Sequence, residues 1–157
     1  MPSSDGHQAG DLMERNQGHV DGELAEFAVA ADLVSKGCRV SYTHGEYKYD
    51  LIADEDDELL RVQVKKANQD TDKPWKYRIF TDRYEEGQVD LFAGYIADTG
   101  KIFYATADEV GSEFRVNAKS GDEMNDHNKE LAKLVDEYTF ERAISKLQGI
   151  KAAQVGE

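Results

Sequence analysis

Asp50, Gln63 and Lys65 are polar side chains beside apolar stretches in the segment "KYDLIADEDDELLRVQVKKA", which covers residues 48–67. Side chains alternate along an extended strand, so the second stretch places Arg61, Gln63 and Lys65 on one face and its two valines on the other. Pairing of the two stretches would bring the Asp50 carboxylate near Gln63. A carboxylate, an amide oxygen and an ammonium group in one place can bind metal ions and phosphate groups.

A further carboxylate comes from the segment "DGELAEFAVAADLVSKG", in which apolar residues recur with a helical period. Glu26 lies on this predicted helix, one turn beyond Glu23, and the helix must pack on the sheet. Glu26, Asp50, the Gln63 amide and the backbone carbonyl between Gln63 and Lys65 form an oxygen-rich set that suits a magnesium-like ion. A lysine beside such an ion can stabilise the charge developing on a phosphate or orient an attacking water.

Each of these side chains also has an ordinary structural explanation. Asp50 alone would serve as a turn acceptor at the end of a strand, and Gln63 and Lys65 alone would form the solvated face of a strand. Glu23 is the neighbouring carboxylate that could replace Glu26, but favourable interaction with the helix N-terminus explains Glu23 better. The combination of these residues favours a functional site.

The elements that position these groups follow from the hydrophobic pattern. The first helix is predicted to begin at Asp21, its cap, and to end at Gly37. Its core-facing side is predicted to comprise Leu24, Phe27, Ala28, Ala31, Leu33 and Val34. Three strands, "RVSYTH", "KYDLIAD" and "LLRVQVKKA", are predicted to form a meander, with a turn between the last two.

The rest of the chain predicts three more strands and a second helix. "KYRIFT" is a strand candidate, while "VDLFAGYIA" and "KIFYATA" form a hairpin about "DTG". "RVNAKSGDEMNDH" is interpreted as an irregular connection, and residues 128–149 as an amphipathic helix. The order favours one α+β domain with a mixed sheet flanked by helices. We expect it to span residues 19–148, with flexible tails at 1–18 and 149–157.

The composition limits the class of protein. With 157 residues and 39% apolar content, the chain can build one domain with a core. No apolar run approaches membrane-spanning length, and the polar N-terminus lacks the apolar stretch of a secretory signal. Cys38 is the only cysteine, which excludes an intrachain disulfide and a cysteine-based zinc site. We therefore expect a cytoplasmic protein without a membrane partner.

Charge is distributed unevenly along the chain. The net charge of −13 argues against a polyanionic partner, but it is also typical of a halophilic protein, whose acidic surface stays hydrated in molar salt. Residues 61–83 nevertheless hold seven basic residues against three aspartates, a charge of +4 that leaves −17 for the remainder. Five side chains of this segment are predicted to contact nucleic acid, although an ordinary mixed-charge hairpin is the alternative: Lys66, Lys73, Trp75, Lys76 and Arg78.

The helix glutamate, the strand aspartate and the "QVK" stretch together resemble the PD-(D/E)XK nucleases. Glu26 precedes Gly37 by eleven residues, much as the helix glutamate precedes a glycine in archaeal Holliday-junction resolvases. "YDL" followed by "RVQVK", and "VDLFAGY" followed by an aromatic strand, resemble more closely the branch related to PD-(D/E)XK group I intron homing endonucleases. That branch has glutamine, as at Gln63, where most relatives have glutamate. The resemblance covers roughly residues 20–145.

This resemblance implies a restriction-endonuclease-like αβββαβ core and a metal-dependent endonuclease that hydrolyses phosphodiester bonds in DNA. It implies that Asp50, Gln63 and Glu26 hold Mg²⁺ or Mn²⁺ and that Lys65 assists the attacking water. Two features depart from the common pattern: Tyr49 rather than proline precedes Asp50, and Gln63 removes one negative charge from the metal site. Since cutting both strands needs two sites, we expect a homodimer or a larger symmetric oligomer.

Two other functions are consistent with the sequence. The neutral Gln63 favours a catalytically inactive DNA-binding module of the same fold, which would bind DNA without magnesium-dependent cleavage. The overall acidity favours a protein-interaction domain without a nucleic-acid partner, which would have no DNA affinity even at low salt.

Overall fold

The computed structural model describes residues 17–45, 47–81, 85, 87–118 and 133–155. In these ranges the chain forms, in order, helix α1 (Gln17–Ser35) and strands β1 (Arg39–Tyr42), β2 (Leu51–Glu55), β3 (Glu58–Lys66), β4 (Asn68–Gln69), β5 (Lys76–Phe80), β6 (Leu91–Ile96) and β7 (Lys101–Thr106). A 3₁₀ turn (Ala107–Glu109), strand β8 (Glu113–Asn117), a second 3₁₀ turn (Val135–Glu137) and helix α2 (Phe140–Val155) follow. No helix in the described ranges is long and apolar enough to cross a membrane.

The strands form two sheets. The larger sheet has the order β1-β2-β3-β6-β7, in which β3 and β6 are parallel and every other neighbouring pair is antiparallel. The predicted meander β1-β2-β3 and hairpin β6-β7 are therefore confirmed, as is the α+β class with a mixed sheet. The smaller sheet is antiparallel, with the order β4-β5-β8.

The crossover between the parallel strands β3 and β6 differs in detail from the expected αβββαβ order. Its described residues carry β4 and β5 rather than a helix, while residues 82–84 and 86 lie outside the described residues. Residues 115–117 of the predicted irregular connection belong to β8, which pairs with β5. The rest of that connection from residue 119 onward lies outside the described residues. A pairing between distant segments was not visible in the local pattern.

Helix α1 packs on the larger sheet through a face that differs from the predicted one. Its fully or nearly buried residues are Ala25, Val29, Ala30 and Leu33, whereas Leu24, Phe27 and Val34 are more than half exposed. The prediction was right for Leu33 and wrong for these three residues, because apolar residues occur on every side of α1 and periodicity alone did not identify the inward face. The helix begins at Gln17, so Asp21 lies inside it and is not its cap. Gly37 has a φ of 92°, which confirms the predicted end of the helix.

The two faces of the larger sheet bury separate clusters of apolar side chains. One cluster joins α1, α2 and the sheet and includes Val29, Leu51, Val62 and Tyr104. The other lies between the opposite face and the smaller sheet. The Tyr104 hydroxyl donates a 2.6 Å hydrogen bond to the Asp32 carboxylate, and this bond fixes α1 to β7. Helix α1 is therefore held rigidly where it can present Glu26.

The C-terminal helix begins later than predicted. Leu134 forms a parallel bridge with Asn117, and residues 135–137 form a 3₁₀ turn, so the apolar residues at 134 and 135 are not in α2. Residues 128–132 of the predicted helix lie outside the described residues. Helix α2 continues to Val155, beyond the predicted end at 149. The division into a 19–148 domain and two tails stays a prediction.

Candidate active site

Asp50 lies immediately before β2 and is tied to β3 by two hydrogen bonds. Its backbone N–H donates to the Val62 carbonyl at 2.9 Å, and its carboxylate Oδ2 accepts the Val64 N–H at 2.8 Å. These two bonds bracket Gln63 on the neighbouring strand. The carboxylate is therefore held at the point predicted from the order of the strands.

Glu26 and Asp50 lie close enough to share a hydrogen bond between their carboxyl groups. Burial raises the pKa of Glu26, and the negative charge of Asp50 raises it further. Burial also raises the pKa of Asp50, although the Val64 N–H and the Lys65 ammonium act in the opposite direction. Two partly buried carboxylates cannot both stay ionised in contact without a counter-charge. Lys65 offsets part of this charge, and the pair still favours a shared proton or a bound cation.

Gln63 and Lys65 follow on β3, on the side of the strand away from the two valines. Val62 and Val64 join the core cluster beneath α1, as the alternation predicted. The Gln63 side chain is only 9% exposed and lies opposite Phe92 of β6. Lys65 is half-buried beside Gly94, and its ammonium lowers the pKa of Asp50. The Lys65 cation and the two carboxyl groups therefore interact around Asp50, and Gln63 lies on β3 between the two residues that hydrogen-bond Asp50.

The residues present fit a divalent cation with oxygen ligands. Among the described residues, no three His, Cys, Asp or Glu side chains converge on one point. Glu26 and Asp50 supply two carboxylates, and the Gln63 amide and the Val64 carbonyl are further oxygen donors on the strand that hydrogen-bonds Asp50. Hard ions such as Mg²⁺ bind through one or two carboxylates and retain several waters. The contact between Glu26 and Asp50 is the observation that supports this fit, since a cation would relieve their repulsion.

A groove of about 680 Å³ opens beside Gln63, and its aromatic wall was not among the predicted site residues. The rings of Tyr47 and Tyr49 stack at 5.9 Å with an angle of 18° between their planes. Arg61 lines the same groove, and its guanidinium donates to the Gly87 carbonyl. Stacked aromatic side chains beside basic ones suit a nucleic-acid strand. The "YKY" spacing, which places two tyrosines on one side of an extended segment, was the signal available in the sequence.

The predicted nucleic-acid contacts do not all lie together. Lys73, Lys76 and Arg78 line a cavity of about 230 Å³ against the smaller sheet. Lys66 instead forms an ion pair with Asp21 of α1 at 3.1 Å. Trp75 is half-buried, and its backbone carbonyl accepts the Ala118 N–H at 2.8 Å.

Comparisons with known proteins identify the family and a similar fold. The sequence matches the family model described as PD-(D/E)XK endonuclease over residues 16–141. Among solved structures, the fold is similar to that of a bacterial homing endonuclease, I-Ssp6803I, with a TM-score of 0.64 and 18% sequence identity. The match covers 83% of this chain and 96% of the other. No curated protein sequence matches the chain. Because the family model spans most of its length, this chain belongs to the PD-(D/E)XK endonuclease family.

Proposed function

We propose that the chain is a divalent-metal-dependent endonuclease that hydrolyses phosphodiester bonds in DNA. The single observation that carries this proposal is the contact between the Glu26 and Asp50 carboxyl groups at the end of the strand that bears Gln63 and Lys65. The family supports nuclease chemistry in general, and the similar solved structure is that of a homing endonuclease. The proposal adds to this general nuclease chemistry that DNA is the substrate and that Mg²⁺ or Mn²⁺ is the cofactor.

In the proposed mechanism, Asp50, Glu26 and Gln63 hold the ion, together with the Val64 carbonyl. When bound, such an ion polarises the scissile phosphate and lowers the pKa of a coordinated water. The Val64 N–H keeps the Asp50 carboxylate oriented, so that little reorganisation is needed when the substrate arrives. Lys65 positions the attacking water or offsets charge on the phosphate. The stacked Tyr47 and Tyr49 rings form one wall of the path along which a DNA strand reaches Gln63.

A catalytically inactive DNA-binding module is the second candidate. The neutral Gln63 favours it, because an amide provides weaker electrostatic stabilisation of a divalent ion than a carboxylate. Under this alternative the groove and the basic side chains bind DNA, and no strand is cut.

We expect the chain to cleave plasmid or four-way-junction DNA in Mg²⁺ or Mn²⁺ and to lose all cleavage in EDTA. Both DNA substrates are tested from low to molar KCl. Gln63→Glu adds one ligand charge without changing the side-chain length. It should therefore lower the Mg²⁺ concentration for half-maximal cleavage by roughly tenfold. Cleavage that continues in EDTA would contradict the metal-dependent mechanism. Binding without cleavage by both the wild type and Gln63→Glu would favour the inactive module.

We also propose that two copies of the chain associate through α1. Four apolar side chains of α1 are about half exposed: Val20 (43%), Leu24 (54%), Phe27 (59%) and Val34 (58%). Their spacings of four, three and seven residues place them on one side of the helix, opposite the buried face. Phe27 extends this surface to Tyr42 of the edge strand β1, with the ring centroids 6.2 Å apart. Large apolar side chains that are exposed together on one face of a helix normally mark a contact surface. Antiparallel packing about Phe27 would place Val20 of one copy against Val34 of the other and keep the two Glu23 carboxylates apart.

Phe27→Asp should convert the dimer to monomers, with self-association weakened at least ~30-fold, because it places a charge at the centre of the apolar surface. Sedimentation velocity measures this change. Leu59→Asp is the matched control, since Leu59 is 67% exposed on β3 away from α1. Because each chain carries −13, self-association should strengthen as KCl screens the repulsion. Equal effects of the two substitutions would rule out this surface.

A further inference from the structure

The outer face of the smaller sheet concentrates positive charge in a chain that is otherwise strongly acidic. A cavity of about 230 Å³ on this face is lined by Lys73, Lys76, Arg78 and Arg115, together with the carboxylates Asp70 and Asp72. The Asp70 carboxylate accepts the backbone N–H groups of Asp72 and Lys73 at 2.9 and 3.3 Å. It therefore shapes the turn beside the cavity; these bonds lower the pKa of Asp70, and the charges of Arg78 and Lys73 lower it further.

Arg78 and Arg115 lie directly opposite each other on the paired strands β5 and β8. Like charges in this position destabilise a sheet. One carboxylate, Glu113, serves both guanidinium groups, at 2.8 Å from Arg115 Nε and 3.6 Å from Arg78 Nη1. Glu113 is thus the one carboxylate within ion-pair distance of the two arginines among the described residues, although the Asp70 charge acts on both guanidinium groups from farther away.

Two further features concern the hydrogen-bond and ion-pair partners of these basic side chains. The Arg78 Nε–H is buried without a hydrogen-bond partner, a state that normally costs free energy and that calls for a missing acceptor. Among the described residues, Lys73 and Lys76 form no ion pair, as is also the case for Lys48 and Lys133.

We infer that this cavity binds a single phosphate group, held by Arg78 and Arg115 with Lys73 and Lys76 at its rim. A phosphate offers several acceptor oxygens to the planar guanidinium groups and neutralises the opposed arginine charges. The inference deepens the proposed nuclease function and in that respect rests on it, since a DNA backbone is one source of the group. A free phosphate, as on a nucleotide, is the other.

The position of the cavity is compatible with DNA that also reaches the candidate active site. Asp70 at the cavity lies five positions after Lys65 at the end of β3, so their Cα atoms lie within roughly 18 Å of each other. That span corresponds to about five base pairs along one strand of duplex DNA. A phosphate bound here would fix the register of the duplex relative to Asp50.

The first test uses the full chain without divalent ions and inorganic phosphate as the probe. We expect the Nε–H nuclear magnetic resonance signals of Arg78 and Arg115 to shift saturably with phosphate. In the Arg115→Gln variant, the apparent Kd for phosphate, measured from the Arg78 Nε–H signal, should rise at least fivefold. Arg39→Gln removes the same charge from the edge strand of the other sheet and should leave this Kd within twofold of the wild type.

The second test uses a fluorescently labelled DNA duplex in EDTA. Arg115→Gln should weaken duplex binding five- to tenfold and reduce the slope of log K against log salt by about 0.9, the value for one lost phosphate contact. Its melting temperature at low salt should stay level or rise, because one of two opposed charges is removed. A marked fall in melting temperature would assign Arg115 a structural role and overturn the inference.

The two probes also separate the sources of the phosphate. Effects on both inorganic phosphate and duplex binding identify a DNA backbone phosphate, while an effect on inorganic phosphate alone identifies a free phosphate ligand. If Arg115→Gln behaves like Arg39→Gln with both probes, the cavity binds no phosphate. Neither test measures cleavage, so the inference can fail while nuclease activity is present, and it can hold for an inactive module.

Discussion

Asp50→Asn is expected to reduce the single-turnover rate of DNA cleavage by at least ~10³-fold, about 4 kcal/mol of transition-state stabilisation. The substitution preserves the shape of the side chain, and its amide oxygen can still accept the Val64 N–H. It removes the carboxylate charge that the proposed metal site needs most, because Gln63 contributes none. The loss should therefore appear in the rate of the bound complex rather than in DNA affinity.

A gain in stability should accompany this loss of activity. In metal-free protein the Asp50 and Glu26 carboxyl groups are partly buried in contact, and burial raises the pKa of both groups. Neutralising one member removes their repulsion. In EDTA, Asp50→Asn should therefore have a free energy of unfolding about 1 kcal/mol higher than the wild type, and a higher melting temperature. If Asp50 had a purely structural role, its substitution would instead lower the free energy of unfolding of the protein.

Asp90→Asn is the matched control for this experiment. Asp90 precedes β6 as Asp50 precedes β2, and its carboxylate accepts the Arg61 N–H of β3 at 2.7 Å. Asp90 makes a similar pair of hydrogen bonds to β3, and among the described residues no carboxylate shares a hydrogen bond with it, so the Asp90→Asn variant should cleave within about threefold of the wild-type rate. Lys65→Ala should lose activity as Asp50→Asn does while retaining DNA binding. Full activity of either active-site variant would exclude the proposed site.

The sequence predicted the part of the site that depends on neighbouring strands. Asp50, Gln63 and Lys65 lie on two strands joined by a tight turn, at which Asp56 and Asp57 have positive φ. Local pairing then determines their relative positions, and the two valines supply an unambiguous inward face. Glu26 was predicted from its position on a helix that must pack on the sheet and then matched by the family resemblance, although periodicity alone misplaced most of the buried face of α1.

The parts that were missed depend on contacts between distant segments or on competing local signals. Strand β8 pairs with β5 across a long interval of sequence, so the opposition of Arg115 and Arg78 could not be derived from either segment alone. The sequence contained a signal for the start of α2, because Thr139 is a residue type that often caps helices. In the structure its hydroxyl accepts the Arg142 N–H at 3.1 Å. The apolar residues Leu134 and Val135 continue the helical period upstream of that cap and obscured it.

Gly94→Ala is expected to destabilise the fold by about 3 kcal/mol, a fall in melting temperature of roughly 6–12 °C for a chain of this size. Gly94 lies in β6 between Lys65 of β3 and Phe103 of β7. The fully buried Phe103 ring extends across Gly94, and an added Cβ would overlap three of the ring carbons. The ring cannot move freely because it stacks on Phe114 at 6.1 Å. Thermal unfolding of the purified variant measures the effect.

Two further variants decide whether this overlap is the cause. Gly149→Ala in α2 meets no atom within 4 Å and should stabilise the chain by about 0.5–1 kcal/mol through helix propensity. Phe103→Leu combined with Gly94→Ala should be more stable than the sum of the single changes predicts, because the smaller side chain vacates the space that the new methyl group needs. Additive losses would mean that Gly94 is required for another reason. Coupling would establish that Phe103 packs in the place of a side chain at position 94, directly beside the backbone that carries Lys65.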